Sequence, residues 1–323
     1  MSRLKLRLPA TSANLGPGFD TAAVALDFYL EIEAEPASEF SIAATGRDAD
    51  RCGQMDDNLV LDLYRRVLVE NGRDATPLAI RMHNEIPLGM GCGSSAAGRL
   101  AALAMAVHFG QLGWDEERII AEAAALEGHP DNVAACWLGG FVAAGEAGTK
   151  GTREQGNEGG VCVARVVPPR EWRALVVLPS EPLATSKARA VLPQSYSRAD
   201  VVSNLQAVAL LGLAFAQGRG DLLQAGMSDR IHQPYRAAIC PQLGRLLPLA
   251  GQDGILGVAL SGAGPAVLAI LSSEQHVRAA RDAIREALSG SGESEVLVCG
   301  FEEKGGSASW RAVPQQLPWG ATQ

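Results

Sequence analysis

The chain of 323 residues has no surplus of positive charge, no paired cysteine motif and no long apolar run. Lys and Arg number 28 against 36 Asp and Glu, a net charge of −8 at neutral pH. That balance argues against broad binding to nucleic acid or to an anionic membrane, while leaving room for a local basic pocket. Six cysteines stand far apart, at 52, 92, 136, 162, 240 and 299. This spacing excludes a disulfide framework and a Cys-x-x-Cys metal site, and fits reduced thiols in a cytoplasmic protein. No apolar stretch approaches the roughly 18 residues that span a bilayer. The first residues alternate Arg or Lys with Leu, which reads as a strand rather than a signal peptide. A Walker lysine is missing as well, because Ser94 follows Gly93.

What is present is a globular composition, 47% apolar and 20% charged, in a length that suits one large domain or two ordinary ones. Periodicity predicts strands over residues 3–8, 25–35, 40–44, 78–83 and 139–144, with a turn-rich loop over 9–20. It predicts helices over 59–69, 95–109 and 115–126, the first capped by Asn58. Residues 145–160 read as a long polar loop and 161–167 as a strand. Pro168-Pro169 marks a boundary between parts at 1–168 and 169–323. Beyond it come a strand at 172–178, helical stretches at 197–217 and 222–231, strands at 255–260 and 266–271, a helix at 274–288 and a strand at 295–301. That order is close to a split βαβ pattern. The last twenty residues read as a tail.

Chemistry concentrates in four loops. Pro87-Leu-Gly-Met-Gly-Cys-Gly-Ser-Ser-Ala-Ala97 runs glycines at alternate positions into an Ala-rich helix. Glycines let backbone approach a phosphate, and the first turn of the helix adds unpaired N–H groups and partial positive charge. The spacing is not that of a dinucleotide fingerprint. Asn14 and Asp20 lie in a glycine-shaped loop, where they can grip a hydroxyl or an ammonium, or bond their own backbone. Glu127-Gly-His-Pro-Asp-Asn132 offers a Mg²⁺ carboxylate and two polar contacts, or is only a helix stop. Ser261-Gly-Ala-Gly-Pro265 is a second phosphate approach or a hairpin turn. Arg189 and Arg236 each follow a turn signal and can clamp a carboxylate.

Together these stretches, with Asp57-Asn-Leu-Val60, Lys187-Ala-Arg189 and Asp229-Arg-Ile-His-Gln-Pro-Tyr-Arg236, resemble the GHMP kinases. Within that family the likeness is to its homoserine kinase branch. The resemblance implies an α+β fold in two parts. The N-terminal part is similar to the second domain of ribosomal protein S5, and the C-terminal part is ferredoxin-like. It implies Mg²⁺-dependent transfer from ATP to L-homoserine in threonine biosynthesis, by a homodimer. Carried over by motif, Asn14, Asp20, His129, Asn132, Arg189 and Arg236 fall at the amino-acid substrate. Asp20 suits its ammonium and the two arginines its carboxylate. Asn58, Pro87, Gly89, Met90, Gly91, Cys92, Gly93, Ser94, Ser95, Gly262 and Gly264 fall at the nucleotide. Ser95 and Glu127 fall at Mg²⁺, with Glu122 as the rival carboxylate.

The catalytic expectation rests on Asn132, with Asp20 and His129. Mevalonate kinase relatives place an Asp where Asn132 stands, and Asn cannot take a proton. The expectation is therefore direct transfer without a protein base, with Asp131 and Asp20 as rivals for that role. Alternatives are a GHMP kinase for another amino-acid alcohol such as threonine, or a non-catalytic nucleotide-binding regulator. An RNA-binding module through S5-like ancestry fits badly with the net charge.

Overall fold

Leu4, Leu6 and Leu8 are buried while Lys5 and Arg7 are exposed, so the opening alternation forms a half-buried strand. A computed structural model describes residues 3–146 and 160–311. The first part runs β1 (Leu4–Asn14), β2 (Gly18–Pro36), β3 (Ser41–Gly46), α1 (Ala49–Cys52), α2 (Leu59–Glu70), β4 (Leu78–Asn84), α3 (Ser94–Gly110), α4 (Glu116–Glu127), α5 (Asp131–Leu138), β5 (Phe141–Glu146) and β6 (Val161–Val166). The second runs β7 (Arg173–Pro179), α6 (Thr185–Ala190), α7 (Arg198–Gln217), α8 (Leu223–Gly226), α9 (Gln233–Arg236), α10 (Pro241–Leu246), β8 (Ile255–Leu260), β9 (Val267–Leu271), α11 (Val277–Ala287), β10 (Ser294–Cys299) and α12 (Gly306–Arg311).

Six strands form the first sheet, in the order β3-β4-β2-β5-β6 with β1 paired to β2. Helix α3 is buried against it through Leu100, Leu103, Met105 and Phe109, and its alanines let neighbouring helices come close. The second sheet is antiparallel, ordered β10-β7-β9-β8. Numbered from its own first strand that is 4-1-3-2, the ferredoxin-like order expected from a split βαβ. One apolar cluster joins both sheets, with the Phe141 ring stacked on Phe215 at 4.2 Å. Chain also crosses back: Phe301 bridges Leu26, and Gly300 donates to the Asp27 carboxylate at 2.7 Å.

Several expectations need correction. Residues 9–20 are not a loop. β1 continues to Asn14 and β2 begins at Gly18, because Ala10, Thr11, Ser12 and Ala13 are small enough to be buried in the sheet. The expected tail is partly ordered. Helix α12 packs on the first part through buried Trp310, so the second part does not own everything after 169. The stretch at 222–231 is helical only at α8; from Asp229 it turns into α9. Helices α1, α5, α6, α9, α10 and α12 lie where the sequence predicts none. Most of the polar loop expected at 145–160 lies outside the described residues.

Helix α7 also qualifies the reading on apolar runs. Its 20 residues are long and apolar enough, by length and composition, to cross a membrane. In this fold Leu211, Ala214 and Phe215 enter the core, and Asn204 donates to the Pro17 carbonyl at 2.8 Å. The helix thus braces the β1–β2 turn.

Candidate functional site

A cavity of about 200 Å³ opens where the two parts meet. One wall comes from the glycine loop. Gly89, Gly91 and Gly93 all take left-handed φ, +71°, +83° and +73°. Gly93 begins α3 without a side-chain cap, so the first-turn amides beside Ser94 and Ser95 are open to an anion. The loop is sewn in from both parts. Thr11 N–H donates to the Cys92 carbonyl at 3.1 Å and Ala266 N–H to the Met90 carbonyl at 3.2 Å. The Ser261 hydroxyl donates to the Gly91 carbonyl at 2.7 Å. The β8–β9 turn follows it, so Gly262 and Gly264 face the cavity from the second part.

The opposite wall is charged. Asp20 sits at the start of β2 with φ +55°, a conformation that Asp tolerates better than most residues. It accepts two hydrogen bonds from Arg189 on α6, at 2.7 and 3.0 Å. Arg236 on α9 is buried. Its Nε donates to the Ala188 carbonyl at 3.0 Å, and its Nη1 lies 3.2 Å from both the Gly262 carbonyl and His232 Nδ1. Its Nη2 is left without an acceptor among the described residues. Burial, and the charge of Arg189 after it, pull the Arg236 guanidinium below its usual pKa. The Phe19 ring lies 5.4 Å from both guanidinium carbons.

The floor is the turn from α4 into α5. Gly128 stops α4, but Pro130 starts α5 instead of ending helical structure, as proline can at a first turn. Asp131 is buried, and its Oδ1 receives His129 Nδ1 at 2.7 Å and the Asn132 backbone N–H at 2.6 Å. Burial alone would lower the His129 pKa. The hydrogen bond and charge of Asp131, with the charges of Asp20 and Glu127, outweigh it and raise the value. The Asn132 side-chain Oδ1 accepts from the buried Thr11 hydroxyl at 2.6 Å and its Nδ2 donates to Asp131 Oδ1 at 3.4 Å, which fixes the amide and leaves one N–H of its NH₂ end to offer.

The structure thus brings Asn14, Asp20, Gly89, Gly91, Gly93, Ser94, Ser95, Glu127, His129, Asn132, Arg189, Arg236, Gly262 and Gly264 to one cavity. It does not bring the rest. Asn58 caps α2: its Oδ1 accepts from Val60 and Leu61, and its Nδ2 donates to Cys52 and Gln54 carbonyls at 3.0 Å. No part of that amide remains for a nucleotide. Cys92 is buried, its thiol pushed up to about 12 by burial. Pro87 and Met90 line a neighbouring cavity of about 680 Å³, with Arg47, Pro182 and Glu295. Asn14 does reach the site, but its amide closes the hairpin, accepting from Asp20 N–H at 3.0 Å and donating to the Gly262 carbonyl at 2.8 Å.

Sequence reasoning missed Thr11 and His232. Thr11 stands inside the 9–20 stretch, whose chemistry was read from Asn14 and Asp20 alone. His232 stands inside the quoted Asp229–Arg236 motif, where a buried polar role was open to suspicion.

Of the two glutamates, Glu127 lines the cavity and pairs with Arg99, while Glu122 pairs with Arg118 on the outer face of α4. A hydroxyl and a carboxylate, Ser95 and Glu127, are the hard oxygen donors that Mg²⁺ takes alongside phosphate oxygens, so the donor set fits that ion.

Comparisons with known proteins bear on this geometry. The family model described as the N-terminal domain of GHMP kinases matches residues 58–140, and that of their C-terminal region matches 213–290. A homoserine kinase of Solibacter usitatus is 42% identical over 302 residues, covering 93% of this chain and 95% of its own. The chain belongs to the GHMP kinases. A homoserine kinase of Schizosaccharomyces pombe is 35% identical, across 84% of this GHMP kinase and 88% of its own length. Among solved structures, the homoserine kinase of Cytophaga hutchinsonii superposes with a TM-score of 0.75 at 25% identity, covering 94% of this chain and 96% of that one. Mevalonate kinase of L. major shares the fold alone, at a TM-score of 0.65 and 17% identity. Membership makes this chain an ATP-dependent small-molecule kinase.

Proposed function

We propose that this GHMP kinase transfers the γ-phosphoryl group of ATP to the side-chain hydroxyl of L-homoserine, giving ADP and O-phospho-L-homoserine for threonine biosynthesis. One observation carries the choice of acceptor: a carboxylate and two guanidiniums, Asp20, Arg189 and Arg236, face the same small cavity as the glycine loop. That is the charge pattern of an α-amino acid zwitterion. Without substrate, Asp20 and Arg189 satisfy each other. Both are about a third exposed, so opening the pair costs little, on the order of 0–1 kcal/mol. An incoming ammonium replaces the guanidinium on Asp20, and the released Arg189, with Nη2 of Arg236, takes the carboxylate.

The glycine loop and first turn of α3 hold the triphosphate through backbone N–H groups. Ser95 and Glu127 would hold Mg²⁺, which neutralises charge on the phosphates. Asn132, with its oxygen held by Thr11, donates the remaining N–H of its side chain to the acceptor hydroxyl and orients it toward the γ-phosphate. Phosphoryl transfer with a loose transition state needs positioning and charge neutralisation more than a base. Asn14 shapes the pocket rather than contacting substrate. The His129–Asp131 pair stiffens the turn that presents Asn132.

A coupled ADP-release assay on L-homoserine, D-homoserine, L-threonine and mevalonate tests the assignment. L-Homoserine is expected to give the highest kcat/KM. A higher value for any other alcohol reassigns the substrate, and nucleotide binding without turnover on any of them favours a regulator. Asn132→Asp tests the base-free route: a chemical step faster than wild type at neutral pH would overturn it.

The six free cysteines and the net charge support a cytoplasmic protein that binds neither nucleic acid nor membrane. A homodimer is supported by the outer face of α7, where Val201, Val202, Leu205 and Leu213 are exposed. Light scattering on wild type and Leu205→Glu checks it, with a dimer expected for the first and a monomer for the second.

A further inference from the structure

His232 is fully buried, and the two hydrogen bonds of its ring run in opposite directions. Its Nε2 lies 2.7 Å from the Gly16 carbonyl, which can only accept. Its Nδ1 lies 3.2 Å from Arg236 Nη1, which can only donate. The partners therefore demand a neutral imidazole with hydrogen on Nε2 and a bare Nδ1. Asp229, on the same turn, fixes the backbone beneath it. Its carboxylate accepts the N–H groups of Ile231, His232 and Gln233 at 2.9, 2.9 and 2.6 Å.

The two ends of this ring lie in different parts of the protein. Gly16 is the tip of the β1–β2 hairpin that carries Asp20. It cannot be replaced, because a Cβ there would stand 2.2 Å from the Met227 carbonyl oxygen. Arg236 carries the other half of the charged wall and also holds Ala188, the residue before Arg189. The Phe19 ring lies beside the His232 ring, at 5.3 Å between centroids. A single imidazole thus spans the group suited to an ammonium and the groups suited to a carboxylate.

We propose that His232 is a positioning residue that sets the distance between the ammonium site at Asp20 and the carboxylate site at Arg236 and Arg189, and so selects α-amino acid substrates. The inference rests on the substrate reading given above. His232 touches no substrate and acts through Gly16 and Arg236. Burial, followed by the opposing charge of Asp229 and the repulsion of Arg236, leaves the ring below its usual pKa, in keeping with the neutral form.

Two variants split the ring into its halves. In His232→Gln the amide reaches the Nε2 position and keeps the bond to Gly16, but Arg236 loses its ring acceptor and keeps only the Gly262 and Ala188 carbonyls. In His232→Asn the amide oxygen takes the Nδ1 position and keeps Arg236, but Gly16 loses its donor. Each is expected to raise the KM for the amino-acid substrate about 10- to 100-fold, the range for one lost bond to a charged or buried group, with the KM for ATP within about twofold of wild type. A purely structural histidine would instead lower kcat through the active fraction and leave both KM values alone. Unchanged amino-acid KM in both variants, or parallel rises in both KM values, overturns the proposal.

A second measurement needs no turnover. Imidazole ¹⁵N shifts, assigned by the signal that His232→Gln removes among five histidines, should report an Nε2–H ring that is neutral at pH 7 to 8 and protonates only below the ordinary 6.5. An Nδ1–H ring, or one that protonates near 6.5, overturns the positioning role. If wild type turns over another amino-acid alcohol, the choice of homoserine falls while the KM comparison is made on that substrate. If no alcohol is turned over, the ring signal still decides whether the link exists.

Discussion

On one wall of the cavity the working surface is backbone; on the other it is charged side chains. The glycine wall carries no formal charge, and its own carbonyls are held by the amides of Thr11 and Ala266 and the hydroxyl of Ser261. The charged wall is built from Asp20, Arg189 and Arg236, drawn from three separate elements. The first wall has no room for atoms and little dependence on polarity. The second tolerates some change of volume but depends on sign and geometry. Phosphate presents the same oxygens in every nucleotide, so a fixed cradle of amides suffices. Choosing an amino acid takes specific charges at a specific distance.

The largest expected effect breaks the backbone wall by volume alone. A Cβ on Gly91 would stand 2.2 Å from the Ser261 carbonyl oxygen, with φ at +83°. Gly91→Ala must move that backbone, and strain plus overpacking should cost more than about 3 kcal/mol. Gly113 is the control, with φ +70° and open space around it. Gly113→Ala should cost only the left-handed penalty, about 1–2 kcal/mol. Urea melts and kcat/KM measure both. Equal losses for the two variants would mean that conformation, not crowding, makes the loop glycines necessary.

The charged wall should break without loss of the fold. Asp20→Asn keeps the size and the left-handed preference but removes the charge that pairs with Arg189. Stability should fall by no more than about 1 kcal/mol, since the pair is partly exposed. The kcat/KM for the amino-acid substrate should fall roughly 100- to 1,000-fold, as expected for losing a charge-assisted contact, while KM for ATP holds. If homoserine still binds normally and only turnover is lost, Asp20 acts in chemistry instead of recognition.

The same contrast explains what could be read in advance. The glycine loop is local: its alternate glycines and the start of the following helix lie within a dozen residues, so its shape and purpose were legible. Asn58 was legible too, as a helix cap, and capping uses its whole side-chain amide. The charged wall was legible in residue type but not in arrangement. Asp20 and Arg189 are 169 positions apart, and nothing local says that they neutralise each other in the free protein. Thr11 and Asn132 are 121 apart, and a threonine among small strand residues carries no mark of the amide it holds. Turn formers also misled. Pro9 and the glycines near 16 suggested a loop where burial of small side chains extends the strands, and at Gly128 the expected helix stop is right but hides a second helix, α5, that opens directly after Pro130.

The smallest expected effect concerns the floor that joins the walls, and it depends on pH. Asp131 raises the His129 pKa in the folded protein above the usual 6.5, against the opposing pull of burial. A histidine whose folded pKa is raised contributes stability that is fully present below the unfolded value and disappears as pH climbs through the folded one. Wild type should therefore exceed His129→Gln in unfolding free energy most at about pH 5.5, with the gap closing by about pH 8.5. Paired urea melts of the two proteins at both pH values supply the comparison, and groups common to both cancel in the difference. A gap that widens toward alkaline pH would mean that burial, which lowers the histidine pKa, dominates over Asp131. The α4–α5 turn would then be held by the buried aspartate and its backbone amide bond, and His129 would face substrate as a neutral ring.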